Sequence, residues 1–260
     1  MSWLAWMTPN DALRAPASGA AYTLLCALAS WLSWGLARWL ERRPGAGAIR
    51  LRRWRGWPLL GEGLSLAFAL AFPFILVLEG TFSADDVGIR PVDWSLSLPW
   101  VLVVGAVSAA WLAFLWGDYW RRRRDIVSAR AWRERAPRWA SILPGALWHE
   151  CTLATYRAAL MPLAGSYWGL WLATIWKLLA SRLSPRLNAN LRRPGQRERV
   201  FLGWTLDWVG AILYLLSGSI WAALAGRVLC QAAAFAVARL IIGAAREERA
   251  QDASGRSRPG

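Results

Sequence analysis

The chain has one lysine (Lys177), one histidine (His149) and three cysteines (Cys26, Cys151, Cys230) in 260 residues. A single histidine excludes histidine-rich metal centres, and cysteines scattered through apolar stretches supply no disulfide framework. A site built from His149, Cys151 and Cys230 would lack a fourth ligand, so neither a metal nor another cofactor is expected. Acids are scarce too: 16 Asp and Glu stand against 31 Lys and Arg, giving a formal charge of +15. No Ser/His/Asp or Gly-Ser-Gly arrangement appears, which removes serine-based intramembrane proteolysis. Residues Met1 to Asn10 lack the basic stretch that opens a secretory signal.

What the sequence does have is apolar length. Hydrophobic residues make up 56% of the chain and fall in runs of about 17–25, enough to cross ~30 Å of hydrocarbon. Soluble-enzyme readings are excluded on that ground. We read an all-α polytopic membrane protein with seven transmembrane helices, near 19–37, 58–79, 98–117, 139–161, 167–181, 200–216 and 219–243. The linkers test this reading. Arginines crowd alternate connections: Arg38 to Arg55, Arg121 to Arg138, Arg182 to Arg199 and the tail from Arg246. The intervening connections hold only Arg90. Strict alternation of basic linkers places the N-terminus outside and the C-terminus in the cytoplasm.

The same alternation explains the basic charge as an orienting signal, so no nucleic acid is expected as a partner. The 21 tryptophans suit membrane–water interfaces. Basicity carried almost wholly by arginine points to a GC-rich genome, and with it to a bacterial inner membrane. Residues 1–245 read as one membrane domain, and the polar 246–260 as a disordered cytoplasmic tail. Trp120–Arg138 is either a plain orienting loop or a helix lying along the cytoplasmic surface.

Ionisable side chains inside spans are costly and therefore informative. They are Glu62, His149, Glu150, Arg157, Lys177, Asp207 and Arg227, of which Glu62 lies close enough to a span end to reach water. At ~1.5 Å per residue from the outer ends, Glu150, Lys177, Asp207 and Arg227 lie roughly 16, 15, 13 and 12 Å deep. Four charges from four spans thus share a layer about 5 Å thick, which points to a common interior. Asp207 and Arg227, on spans joined by Ser217-Gly218-Ser219, make a natural ion pair, and a purely structural pair is the plainer reading. Lys177 lies near a span end, where its stem could carry the charge to water. Glu150 has no base four residues away and suits a general base or proton carrier, while Arg157, two turns on, lies on nearly the same face.

Three segments resemble the CAAX-protease and bacteriocin-processing (CPBP, or Abi) family of intramembrane proteases. Trp208–Ala233 is similar to that family's apolar helix, "TGSLW" turn and HxxxN helix. Asp86-Val87-Gly88-Ile89-Arg90-Pro91 is similar to its "DLGLR" connection, and span four to its EExxxR helix. The resemblance implies a glutamic endopeptidase acting on a membrane-associated protein or peptide. Glu150 would be the general base, with Arg157, Arg227 and His149 as further catalytic candidates. The two histidine positions of the family fall on Arg227, in Arg227xxxGln231, and on Ala180, in Trp176xxxAla180. With neither histidine present, three readings stay open: a divergent peptidase, a non-catalytic scaffold for a membrane partner or lipid, and a small transporter using the charged layer.

Overall fold

The structure, a computed structural model, describes residues 11–42, 56–89, 91–122, 142–193 and 196–256. Among them lie eight helices: α1 (Asp11–Arg42), α2 (Gly56–Leu78), α3 (Ala84–Val87), α4 (Trp94–Arg122), α5 (Ile142–Ser181), α6 (Pro185–Leu191), α7 (Arg197–Ser217) and α8 (Ile220–Arg256). Five of them, α1, α4, α5, α7 and α8, are long and apolar enough to cross a membrane. The described apolar part of α2, Gly63–Leu78, is shorter. Residues 43–55 of the first basic connection, Arg90 and residues 123–138 of the surface-helix segment lie outside the described residues.

The described residues of the seven apolar runs lie in helices, to within one residue at an end, but two of the runs share α5. Its 40 residues are interrupted at Gly165, where φ is 75° and ψ is 169°. That combination is open essentially to glycine alone, and Pro162 just before it withholds a helical hydrogen bond. The two halves fold back on each other. Met161 and Gly169 would be about 12 Å apart along a straight helix, yet a Cβ placed on Gly169 would lie 2.6 Å from Met161 Cα. The reversal brings Lys177 Nζ to 3.0 Å from the carbonyl of His149.

This hairpin is the centre of the molecule. Its first half packs against α1 and α2 in a core that includes Tyr22, Phe72, Leu76, Leu153, Tyr156 and Ala159. A second core, with Leu112, Leu170, Leu206, Leu213 and Phe235, joins its second half to α4, α7 and α8. The outer faces stay apolar: Leu24, Leu28 and Leu32 of α1, one turn apart each, are all exposed. Such stripes are what a hydrocarbon solvent requires, because lipid gives no reason to bury them.

One end of the bundle is closed by α3. Ser83 caps it by accepting from Asp86 N at 3.0 Å, and Gly88 ends it in the left-handed conformation. The Gly88 carbonyl then accepts from Ile220 N at 3.1 Å, tying α3 to the α7–α8 turn. At the chain's other end α8 remains helical to Arg256, where composition predicts an irregular tail. The stretch AAREERAQ consists of strong helix formers, so the helix propagates past the apolar run.

Candidate functional site

Between the two cores lies a chain of buried charges drawn from α5, α7 and α8. Asp207 Oδ1 accepts from Lys177 Nζ at 2.6 Å and from Arg227 Nη2 at 2.5 Å. Arg227 Nη1 donates to Glu150 Oε1 at 2.8 Å, and its Nη2 also reaches the Gly203 carbonyl at 3.1 Å. Arg157 Nη1 stands 3.9 Å from the other oxygen, Glu150 Oε2. The signs therefore alternate from Arg157 through Glu150, Arg227 and Asp207 to Lys177. Arg157 and Glu150 are 0% exposed, and Asp207 and Arg227 1%.

Each position follows from local structure. Glu150 and Arg157, seven residues apart, share a face of the first half of α5. The fold-back at Gly165 turns Lys177 toward them, and the tight Gly218 turn sets α7 and α8 side by side. Gly210 gives Glu150 its room: a Cβ there would run into Glu150 Oε1. Lys177 does not carry its charge to the span end. Its ammonium donates to Asp207 Oδ1 and to the His149 carbonyl, and His149 Nδ1 lies 3.1 Å away. Inside the bundle those contacts outweigh any gain from reaching water.

His149 is the one member that meets the surface, with 31% of its side chain exposed. Its Nδ1 lies 3.1 Å from Lys177 Nζ and 3.2 Å from Asp207 Oδ1. Nδ1 accepts from Lys177 in one tautomer and donates to Asp207 in the other. Neither imidazole nitrogen is directed at Glu150.

All four sequence-derived candidates, Glu150, Arg157, Arg227 and His149, thus belong to one cluster, joined by Lys177 and Asp207. The Glu62 side chain lies outside the described residues. Among the described residues no group of three or more His, Cys, Asp or Glu is placed to hold a metal ion.

Two participants escape a reading of charges alone. Tyr214 packs its ring on Arg157, with Cζ 3.7 Å from the ring centroid. Its hydroxyl approaches the carbonyls of Asp85 and Asp86 in α3 at 3.4 and 3.5 Å. Gly210 is the other. Their signal is spacing: both follow Asp207 on its own face of α7, by three and seven residues.

Chemically, Glu150 Oε1 is held by a cation shared with Asp207, and no histidine stands ready to polarise a carbonyl. The arrangement is suited to neutralising charge inside a membrane domain. Comparison of the chain with protein-family models, with curated proteins and with solved structures finds no match.

Proposed function

We propose that this chain is a non-catalytic integral membrane scaffold of the bacterial inner membrane, holding a membrane-associated partner or lipid, with its charged core serving structure. Seven spans cross the bilayer in this reading, two of them the halves of α5, with the N-terminus outside and the C-terminus cytoplasmic. The supporting observation is that Arg227 binds Glu150 Oε1 and Asp207 Oδ1 at once, with all three residues at most 1% exposed. A carboxylate so enclosed has no route to a peptide, and the arginine beside it is held between two carboxylates rather than turned toward an oxyanion. Breaking one member of such a buried pair costs about 3–5 kcal/mol, because the other is left uncompensated.

The test is thermal unfolding of purified Asp207→Asn and Glu150→Gln in detergent, beside their abundance in membranes. Both variants are expected to lose stability and accumulate less. A Glu150→Gln protein of unchanged stability that has lost cleavage of a membrane-associated substrate would sink the scaffold reading.

One observation favours a second reading, a divergent CAAX-protease-like endopeptidase. Glu150 Oε2 has no hydrogen-bond partner and faces Arg157, as a water-activating carboxylate beside an electrostatic partner would. It predicts the opposite outcome in the same experiment.

A further inference from the structure

The connection from α5 to α7 carries positive charge that the protein leaves unanswered. Arg182, Arg186, Arg192, Arg193 and Arg197 are all exposed, and none of them forms an ion pair among the described residues. Glu198, the one acid between 181 and 200, is buried and accepts from the Tyr119 hydroxyl. Nor is the segment a loose linker. Ser184 caps α6 by accepting from Leu187 N at 3.4 Å, and its hydroxyl lies 2.7 Å from that of Ser30 in α1. Asn188 Nδ2 donates to the Arg182 carbonyl at 2.8 Å. An orienting signal needs positive charge during insertion but no such fixed fold.

The apolar surface beside these arginines has the dimensions of a lipid. Trp168, Leu172, Ile175 and Leu179 are exposed and fall on one face of the second half of α5. From first to last they span about 16 Å, close to half of a ~30 Å hydrocarbon core. Arg182 follows three residues after Leu179. On α7 the exposed Phe201 and Trp208 begin a second stripe four residues after Arg197. Trp171 and Trp208 stack with ring centroids 5.6 Å apart, and Arg182 Cζ stands 5.0 Å from the Trp204 ring centroid, so the two stripes lie side by side.

We propose that α5, α6 and α7 hold an acidic phospholipid of the cytoplasmic leaflet, its phosphate on Arg182, Arg186 and Arg197 and its acyl chains along the two stripes. A guanidinium fork matches the oxygens of a phosphate. Trp204 takes a face of the Arg182 guanidinium and leaves its N–H edge for them. A soluble phosphate would meet the arginines without using the stripes. A zwitterionic lipid would bring a cation of its own among the arginines. The inference gives the lipid of the scaffold reading a place, and it rests on the membrane orientation in that reading, which puts this end of the bundle at the cytoplasmic face.

The experiment uses the full chain, freed of lipid in an uncharged detergent and titrated with mixed micelles of phosphatidylglycerol or of phosphatidylcholine at constant ionic strength. Phosphatidylglycerol is expected to raise the unfolding midpoint saturably and phosphatidylcholine not to. Arg182→Gln combined with Arg186→Gln and Arg197→Gln should weaken phosphatidylglycerol binding roughly a hundredfold, at about fivefold per arginine near an anionic lipid surface. Arg38→Gln with Arg42→Gln, two exposed arginines at the end of α1, should keep it. Should the triple variant not fold, native mass spectrometry of the wild-type chain from micelles of both lipids decides, with phosphatidylglycerol expected to be the lipid retained. An equal response to the two lipids, a response kept in the triple variant, an equal loss in the α1 pair, or a response reproduced by inorganic phosphate alone overturns the site. The midpoints of Glu150→Gln and Asp207→Asn in lipid-free detergent report on the scaffold reading, so the two can fail separately.

Discussion

Lys177 shows how a single side chain's surroundings override its reach. Its stem is long enough to leave the bundle, yet three polar partners within 3.1 Å keep it inside. Lys177→Met should therefore destabilise the fold, by less than the ~3 kcal/mol of an isolated buried pair because Arg227 still holds Asp207. Its loss combined with that of Asp207→Asn should be smaller than the sum of the two single losses, because the pair has one contact to lose. Thermal unfolding of the three variants measures it; purely additive losses would show that the pair is not coupled. Gly210→Ala acts on the same network by steric means. Its added methyl displaces Glu150 Oε1 from Arg227, so the unfolding midpoint should fall although no charge changes.

At the scale of elements, α5 is decisive. Pro162 and Gly165 are both legible in the sequence as helix interruptions, and the apolar runs on either side read as separate spans. Gly165→Ala forces a β-carbon into backbone geometry open essentially to glycine, at a cost of order 1–3 kcal/mol. The expected result is lower stability together with loss of the Lys177 contacts, checked by the rate of hydrogen exchange along 142–181. Exchange unchanged from the wild type would mean that the fold-back does not depend on Gly165. The α3 segment is the complementary case. The sequence marks it as a connection, but nothing in Asp85 or Asp86 announces that their carbonyls would meet Tyr214.

For the whole molecule, the exposed leucine stripes and the buried charges describe a protein whose solvent is lipid and whose apolar core encloses a cluster of charges. The proposed orientation makes a direct prediction. Reporter fusions after Arg42, Arg122, Arg193 and Arg256 should all report the cytoplasm, and fusions at Glu79, Gly165 and Ser217 the outside. A reporter on the wrong side at any of these points would break the seven-span pattern.

The sequence by itself determined the solvent and the long apolar helices. Runs of apolar residues long enough for a bilayer are a local property, and so is the alternation of arginine-rich linkers. It also brought the charges to a common depth, since counting residues along helices of fixed rise is arithmetic on one dimension. Depth is not azimuth, however. Which faces of α5, α7 and α8 turn toward one another depends on the fold-back at Gly165, the turn at Gly218 and the room at Gly210. Only the tertiary structure decided that Arg227 would be shared by Glu150 and Asp207, that His149 would face Lys177 rather than Glu150, and that Arg157 would lie under Tyr214 with its donors unmatched. Pairing among buried charges is settled by distances of a few ångströms between helices, and no pattern along one chain encodes those distances alone.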